Sequence, residues 1–130
     1  MSKGMPHITA AELRIMKVIW QLGSATVRQT LGALPKDEGS PPAYTTVMTM
    51  MKQLADKGAL NVDCERQPFV YTPAVRRDQV LRQRASQFVK TVFDGHAEDL
   101  VLHLIEQANL SAADIRRIDA KIRKREKTNK

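Results

Sequence analysis

Between Lys57 and Leu60 the hydrophobic pattern of the chain changes its period. Upstream of Gly58, apolar residues recur every three or four positions; downstream, Leu60, Val62 and Cys64 alternate with Asn61, Asp63 and Glu65. The first spacing suits one face of a helix and the second one face of a strand. A chain with this switch is not a plain helical bundle. Arg66-Gln67-Pro68 then reads as a turn, and Phe69-Val70-Tyr71-Thr72-Pro73 as a returning strand, so residues 60–73 predict a short β-hairpin with a basic tip. Cys64 falls on the apolar side of the first strand, which predicts a small buried residue rather than a redox switch.

Three helical patterns precede the hairpin. Ala10 to Leu22 carries Leu13, Met16, Ile19 and Trp20 at helical spacing, opens on a Thr9/Glu12 capping box and stops at Gly23. Thr26 and Gln29 form a second capping box, followed by Val27, Leu31 and Leu34 and ended by Pro35. Residues 36–42 read as a loop. The third helix spans about Ala43 to Lys57, with Gly58 as its stop and Val47, Met50, Met51 and Leu54 as its core stripe. Thr45, Thr49 and Lys52 lie opposite that stripe, with Met48 at its edge. An exposed face of threonines and one lysine is unusual; a merely solvated face carries more Glu and Lys.

Three helices and a hairpin make a winged helix-turn-helix, whose third helix enters the major groove of DNA. The short side chains of such a helix allow close approach, and threonine offers a hydroxyl to a base edge or phosphate and a methyl to thymine. Tyr44, Thr45, Thr46, Met48, Thr49 and Lys52 are the predicted groove-lining residues, with Arg66 reaching the backbone from the wing.

Beyond residue 74 three more helices are expected. Arg76 to Phe93 carries Leu81, Ala85, Phe88 and Val92 and is broken by Asp94-Gly95; Ala97 to Ala108 is strongly apolar; Ser111 and Asp114 cap a last helix with Ile115, Ile118 and Ile122 and a basic end. The predicted class is mainly α with a small β-hairpin wing, divided into a winged-helix DNA-binding domain at 6–74 and a helical dimerisation domain at 75–127. Phe88, Val92, Phe93, Leu100, Val101, Leu104 and Ile105 exceed what three isolated helices can bury, which predicts an isologous homodimer on a palindromic site.

Charge alone does not decide the partner. The 130 residues carry net +7, but residues 1–74 contribute only +2 and residues 75–130 the remaining +5. A polyanionic partner is favoured by the total, while the DNA assignment rests on local arrangement. The Arg116–Lys130 tail reads as a solvated helix end, where cations suit the helix dipole. Arg76 and Arg77 at the start of the fourth helix stand equally between solvent and flanking phosphates.

In this frame the segments Ile8–Trp20, Ala43–Leu54 with Lys57-Gly58, Phe69–Val75 and Leu100–Leu104 together resemble the penicillinase-repressor group, the BlaI/MecI/CopY-like regulators. The resemblance covers about residues 8–122. It implies a homodimeric repressor of short DNA dyads that controls resistance or stress genes. It also implies a sensor-linked protease that releases such repressors by cutting between an Asn and a Phe in the dimerisation helix. His103-Leu104 stands at that position here. The copper-responsive branch carries a C-terminal cysteine cluster; this C-terminus has no cysteine.

The sequence offers little to other function classes. It shows no phosphate-binding glycine loop, HExxH motif or nucleophile elbow, so no enzyme, cofactor or metal site is predicted. His7, His96 and His103 read as surface or interface residues. Cys64 is the single cysteine, which excludes an intrachain disulfide. No apolar run is long enough to span a bilayer and no signal-peptide core precedes the first helix, so a cytoplasmic protein without membrane insertion is expected. The alternative reading is a winged-helix module that binds another protein and no DNA; the weak charge of residues 1–74 favours it, and the Thr/Lys face and wing tip oppose it.

Overall fold

The computed structural model describes residues 6–35, 42–107 and 110–128. The loop expected over 36–42 therefore lies outside the described residues except for Pro42. Element order is α1 Ala10–Leu22, α2 Val27–Ala33, α3 Tyr44–Asp56, β1 Leu60–Asp63, β2 Val70–Pro73, α4 Arg77–Val92, α5 Ala97–Gln107 and α6 Ala112–Thr128. The mainly α class with a two-stranded wing is what the sequence leads one to expect. Two compact units are formed, one through Arg84 and one from Ala85.

In the first unit both capping boxes are complete. Thr9 Oγ1 accepts from the Glu12 amide and Glu12 Oε1 accepts from the Thr9 amide; Thr26 and Gln29 repeat the arrangement on α2. Gly23 ends α1 at φ 87°, a conformation that side chains with a Cβ rarely adopt. The core stripe of α3 is Val47, Met51 and Leu54, all fully buried, with Met50 half-buried against them rather than inside. They pack on Ile15, Met16 and Ile19 of α1.

β1 and β2 pair antiparallel in the register Leu60↔Pro73 to Asp63↔Val70. Tyr71 also exchanges two backbone hydrogen bonds with Ala25, so the link between α1 and α2 adds a bridge on the far side of β2. Nothing in the pattern around Ala25 announces this. Cys64 corrects the sequence reading: it is exposed. Only Leu60 of β1 is buried, because the core covers the root of the hairpin and the rest projects beyond it.

A second correction concerns α4, whose only buried residue in this unit is Val80, which lies outside the Leu81/Ala85/Phe88/Val92 stripe. The first turns of α4 belong to the winged unit: Arg84 donates to the Ile8 carbonyl at 2.7 Å. Trp20 Nε1 donates to the Val75 carbonyl at 3.0 Å, which fastens α1 to the chain leaving β2.

The second unit comprises the remainder of α4, α5 and α6. Asp94 and Gly95, at φ 52° and 85°, turn the chain out of α4. Ser111 and Asp114 cap α6 reciprocally, and the hydrogen bonds from Ser111 hold the Asp114 carboxyl below its ordinary range.

Glu12 is 3% exposed and ion-pairs with Lys57, the C-cap of α3, at 2.5 Å. Burial works to raise its pKa, but the Lys57 hydrogen bond, the Thr9 amide and the Lys57 charge together hold it below the ordinary glutamate value. A depressed folded pKa stabilises the protein above the unfolded pKa of about 4.3, and that contribution is lost as pH falls through the folded value. Glu12→Gln is expected to destabilise the fold by about 1–3 kcal/mol at pH 7. The gap from the parent should shrink as pH drops from 5 to below 4. Urea midpoints of both proteins across that range check this; an equal gap at all pH values would contradict the ion pair.

Candidate nucleic-acid interface

The surface of interest begins with α3. Because one side of this helix is pinned by Val47, Met51 and Leu54, the opposite side carries Thr45, Thr49, Lys52 and Asp56 into solvent. Thr49 Oγ1 donates to the Thr45 carbonyl at 2.9 Å. Its proton is thereby directed to the backbone, which leaves the oxygen lone pairs free to accept. Lys52 is exposed, with no carboxylate bound to it among the described ion pairs.

Not all predicted groove residues share this face. Tyr44 and Met48, each 41% exposed, turn toward α2 and the wing. Thr46 turns to the other flank, where it meets Arg14, Pro42 and Met50 in a small hollow. At the N-terminal end of the helix both flanks remain exposed, so all six residues stay accessible.

Between α3 and the wing lie two adjoining hollows of about 380 and 560 Å³. Met48, Phe69 and Tyr71 line both. The larger one reaches Lys52, Val62 and Cys64; the smaller reaches Arg28 and Gln67. Tyr71 is 5% exposed, and burial first, then the nearby Cys64, Tyr44 and Asp56, raises its phenol pKa, so it stays neutral. At the wing tip Asp63 accepts from the Glu65 amide and Arg66 is exposed beside it. The tip therefore carries one cation flanked by acidic residues rather than a basic cluster.

Arg28, Gln67 and Phe69 escape the sequence reading. Arg28 sits on a helix end whose apolar pattern draws attention elsewhere; only the helix-turn-helix geometry, which sets the second helix across the DNA backbone, marks it. Phe69 reads as a strand residue, yet it is 41% exposed because β2 starts one residue later, at Val70.

In the second unit the seven expected interface residues are uncovered to different degrees. Phe88, Val92, Val101, Leu104 and Ile105 are 39–55% exposed, and Phe93 and Leu100 are half-buried. Leu102, Ile115, Ile118 and Ile122 add to this apolar surface. Phe93 packs its ring against Phe88 and His103 at centroid distances of 5.9 and 5.5 Å. No described group of His, Cys, Asp and Glu could hold a metal ion, and no described helix is long and apolar enough to cross a membrane.

Comparison with known proteins bears on this arrangement. The family model described as penicillinase repressor matches residues 8–124. The chain is 34% identical over 113 residues to the penicillinase repressor of Bacillus licheniformis, covering 87% of each protein. It is 24% identical to the methicillin resistance regulatory protein MecI of Staphylococcus aureus, over 84% of this chain and 87% of MecI. Among solved structures it is similar to the monomeric form of Bacillus licheniformis BlaI in complex with the blaP half-operator, at 39% identity and a TM-score of 0.48, covering 59% of this chain and 92% of that one.

The exposure of Cys64 is directly testable. Its thiol should react with a disulfide reagent in the native protein within about tenfold of the rate in denaturant. A thiol that reacts only on unfolding would restore the buried assignment.

Proposed function

The chain belongs to the penicillinase repressor family, and from that membership we propose that it is a transcriptional repressor that grips a palindromic operator with two winged helices. The single observation that carries this reading is the outward face of α3. Thr45 and Thr49 are short enough to let the helix backbone approach base edges, and Lys52 stands at the margin where a phosphate passes. Arg66 on the wing supplies a second backbone contact.

The uncovered apolar surface of the second unit supports a homodimer. A two-fold dimer presents two recognition helices related as the halves of a palindrome. Linking them makes the second half-site contact intramolecular, which raises affinity by a factor of about 10²–10⁴ over one half-site. Release then requires only that the link be broken. A protease tied to a sensor would achieve this by cutting between Leu100 and Ile105, within the exposed apolar helix α5, even though His103-Leu104 replaces the Asn-Phe pair of the penicillinase repressors. Resistance or stress genes are the targets that family membership suggests.

Two measurements test the reading. Lys52→Ala is expected to weaken binding to all DNA sequences and to flatten the salt dependence by about 0.9 in slope, while Thr49→Ala changes the preference among operator variants. Parent-like binding by both would overturn the assignment of α3 as the recognition helix. Ile105→Asp is expected to sediment as a monomer at micromolar concentration and to lose about 10²–10⁴ in operator affinity, imitating the cut protein. A dimer that survives this substitution would move the interface elsewhere.

A further inference from the structure

Arg28 is held by an aromatic ring: its Cζ lies 5.4 Å from the centroid of Tyr44. Arg28 is the second residue of α2 and Tyr44 the first of α3, so the stack joins the leading ends of the two helices of the helix-turn-helix. The guanidinium is exposed and takes part in none of the described ion pairs. Beside it opens the hollow of about 380 Å³ whose far wall is Gln67 and Phe69 of the wing.

A cation–π contact engages the ring without using up the guanidinium N–H groups, which remain to bind elsewhere. Their fork matches two oxygens of a phosphate, and a ring beneath it removes much of the rotational freedom that a surface arginine loses on binding. Neighbouring groups do not compete for the role. Lys52 and Arg66 reach the backbone from α3 and the wing, and among the described residues that line this hollow Arg28 alone is charged.

We propose that the Arg28–Tyr44 stack is a phosphate-binding site for the DNA backbone, entered through the hollow between α2 and the wing. Arg28 takes the phosphate. Tyr44 is a positioning residue that aims the guanidinium, and it does not read bases. This rests on the DNA-binding reading above and changes the role expected for Tyr44 from its place on the helix.

The test uses the full chain and two duplexes, one selected for tight binding and one unrelated, with affinity measured across a salt series. Arg28→Gln is expected to weaken binding to both duplexes alike and to flatten the salt slope by about 0.9; Arg28→Lys keeps the parent slope. Tyr44→Leu loses about two- to fivefold on both duplexes, and Tyr44→Phe binds like the parent because the ring is retained. An unchanged slope in Arg28→Gln, with Lys52→Ala still flattening it, would overturn the site and leave the DNA-binding reading intact. A changed sequence preference in Tyr44→Phe would overturn the positioning role. Failure of the parent to bind either duplex would instead remove the DNA-binding reading itself.

Discussion

Glu12 joins the first turn of α1 to Lys57, the C-cap of α3. Its Oε1 receives the Thr9 amide and the Lys57 ammonium, and the same ammonium reaches the His7 carbonyl at 3.0 Å. A carboxylate buried without such partners would be protonated or expelled. Here the capping box fixes the side chain first, and the ion pair then fixes where α3 ends. The orientation of every residue on the outward face of α3 follows from that end point and from the Val47/Met51/Leu54 stripe. Arg84 completes the anchorage by holding the adjacent Ile8 carbonyl. The N-terminal segment is thus clamped by cations from α3 and α4 before the first helix begins.

The two units treat their apolar residues differently. In the winged unit Ile15, Met16, Ile19, Val47, Met51 and Leu54 are at most 2% exposed. In the second unit no described residue of α5 is buried, although it is the most apolar helix of that unit. Covering one such side chain contributes about 1.5–3 kcal/mol. Association costs an estimated 4–15 kcal/mol in lost freedom, so covering several of these side chains on each copy offsets that cost. The uncovered surface is therefore a physical reason for a second copy, independent of any resemblance.

Much of this was legible in the sequence because it is local. Capping boxes at Thr9/Glu12, Thr26/Gln29 and Ser111/Asp114, and the stop at Gly23, depend on residues three or four apart, and the geometry that satisfies them is nearly unique. The switch of period at Gly58 marks the hairpin for the same reason. What escaped depends on the third dimension. Cys64 keeps the alternation of its strand but lies past the edge of the core, and alternation does not say where a core ends. Val80 is buried in the core of the winged unit, while Ala85, Phe88 and Val92 of the stripe that seemed to govern α4 are exposed. Arg28 gains its ring from Tyr44, sixteen positions away, across a segment whose pattern only marks a loop. The hollows between α3 and the wing have no sequence signature at all.

The winged unit holds little of the positive charge of the chain. Residues 1–74 carry net +2, and the cations on the α3–wing surface are few: Arg28, Lys52 and Arg66, with Asp56, Asp63 and Glu65 among them. Each phosphate neutralised contributes to binding of any sequence and to its salt dependence, so a short set of cations keeps the single winged unit loosely held on random DNA. On the proposed reading, the affinity that distinguishes an operator comes from base contacts along α3 and from the linkage of two units. On the proposed dimer, both terms fall together when the partner copy is lost: one half-site offers half the base contacts, and the effective concentration of the second unit disappears. On the proposed reading, sparse charge on the α3–wing surface and exposed apolar residues in the second unit act together: the first leaves a single winged unit loosely held, and the second supplies the linkage that raises its affinity.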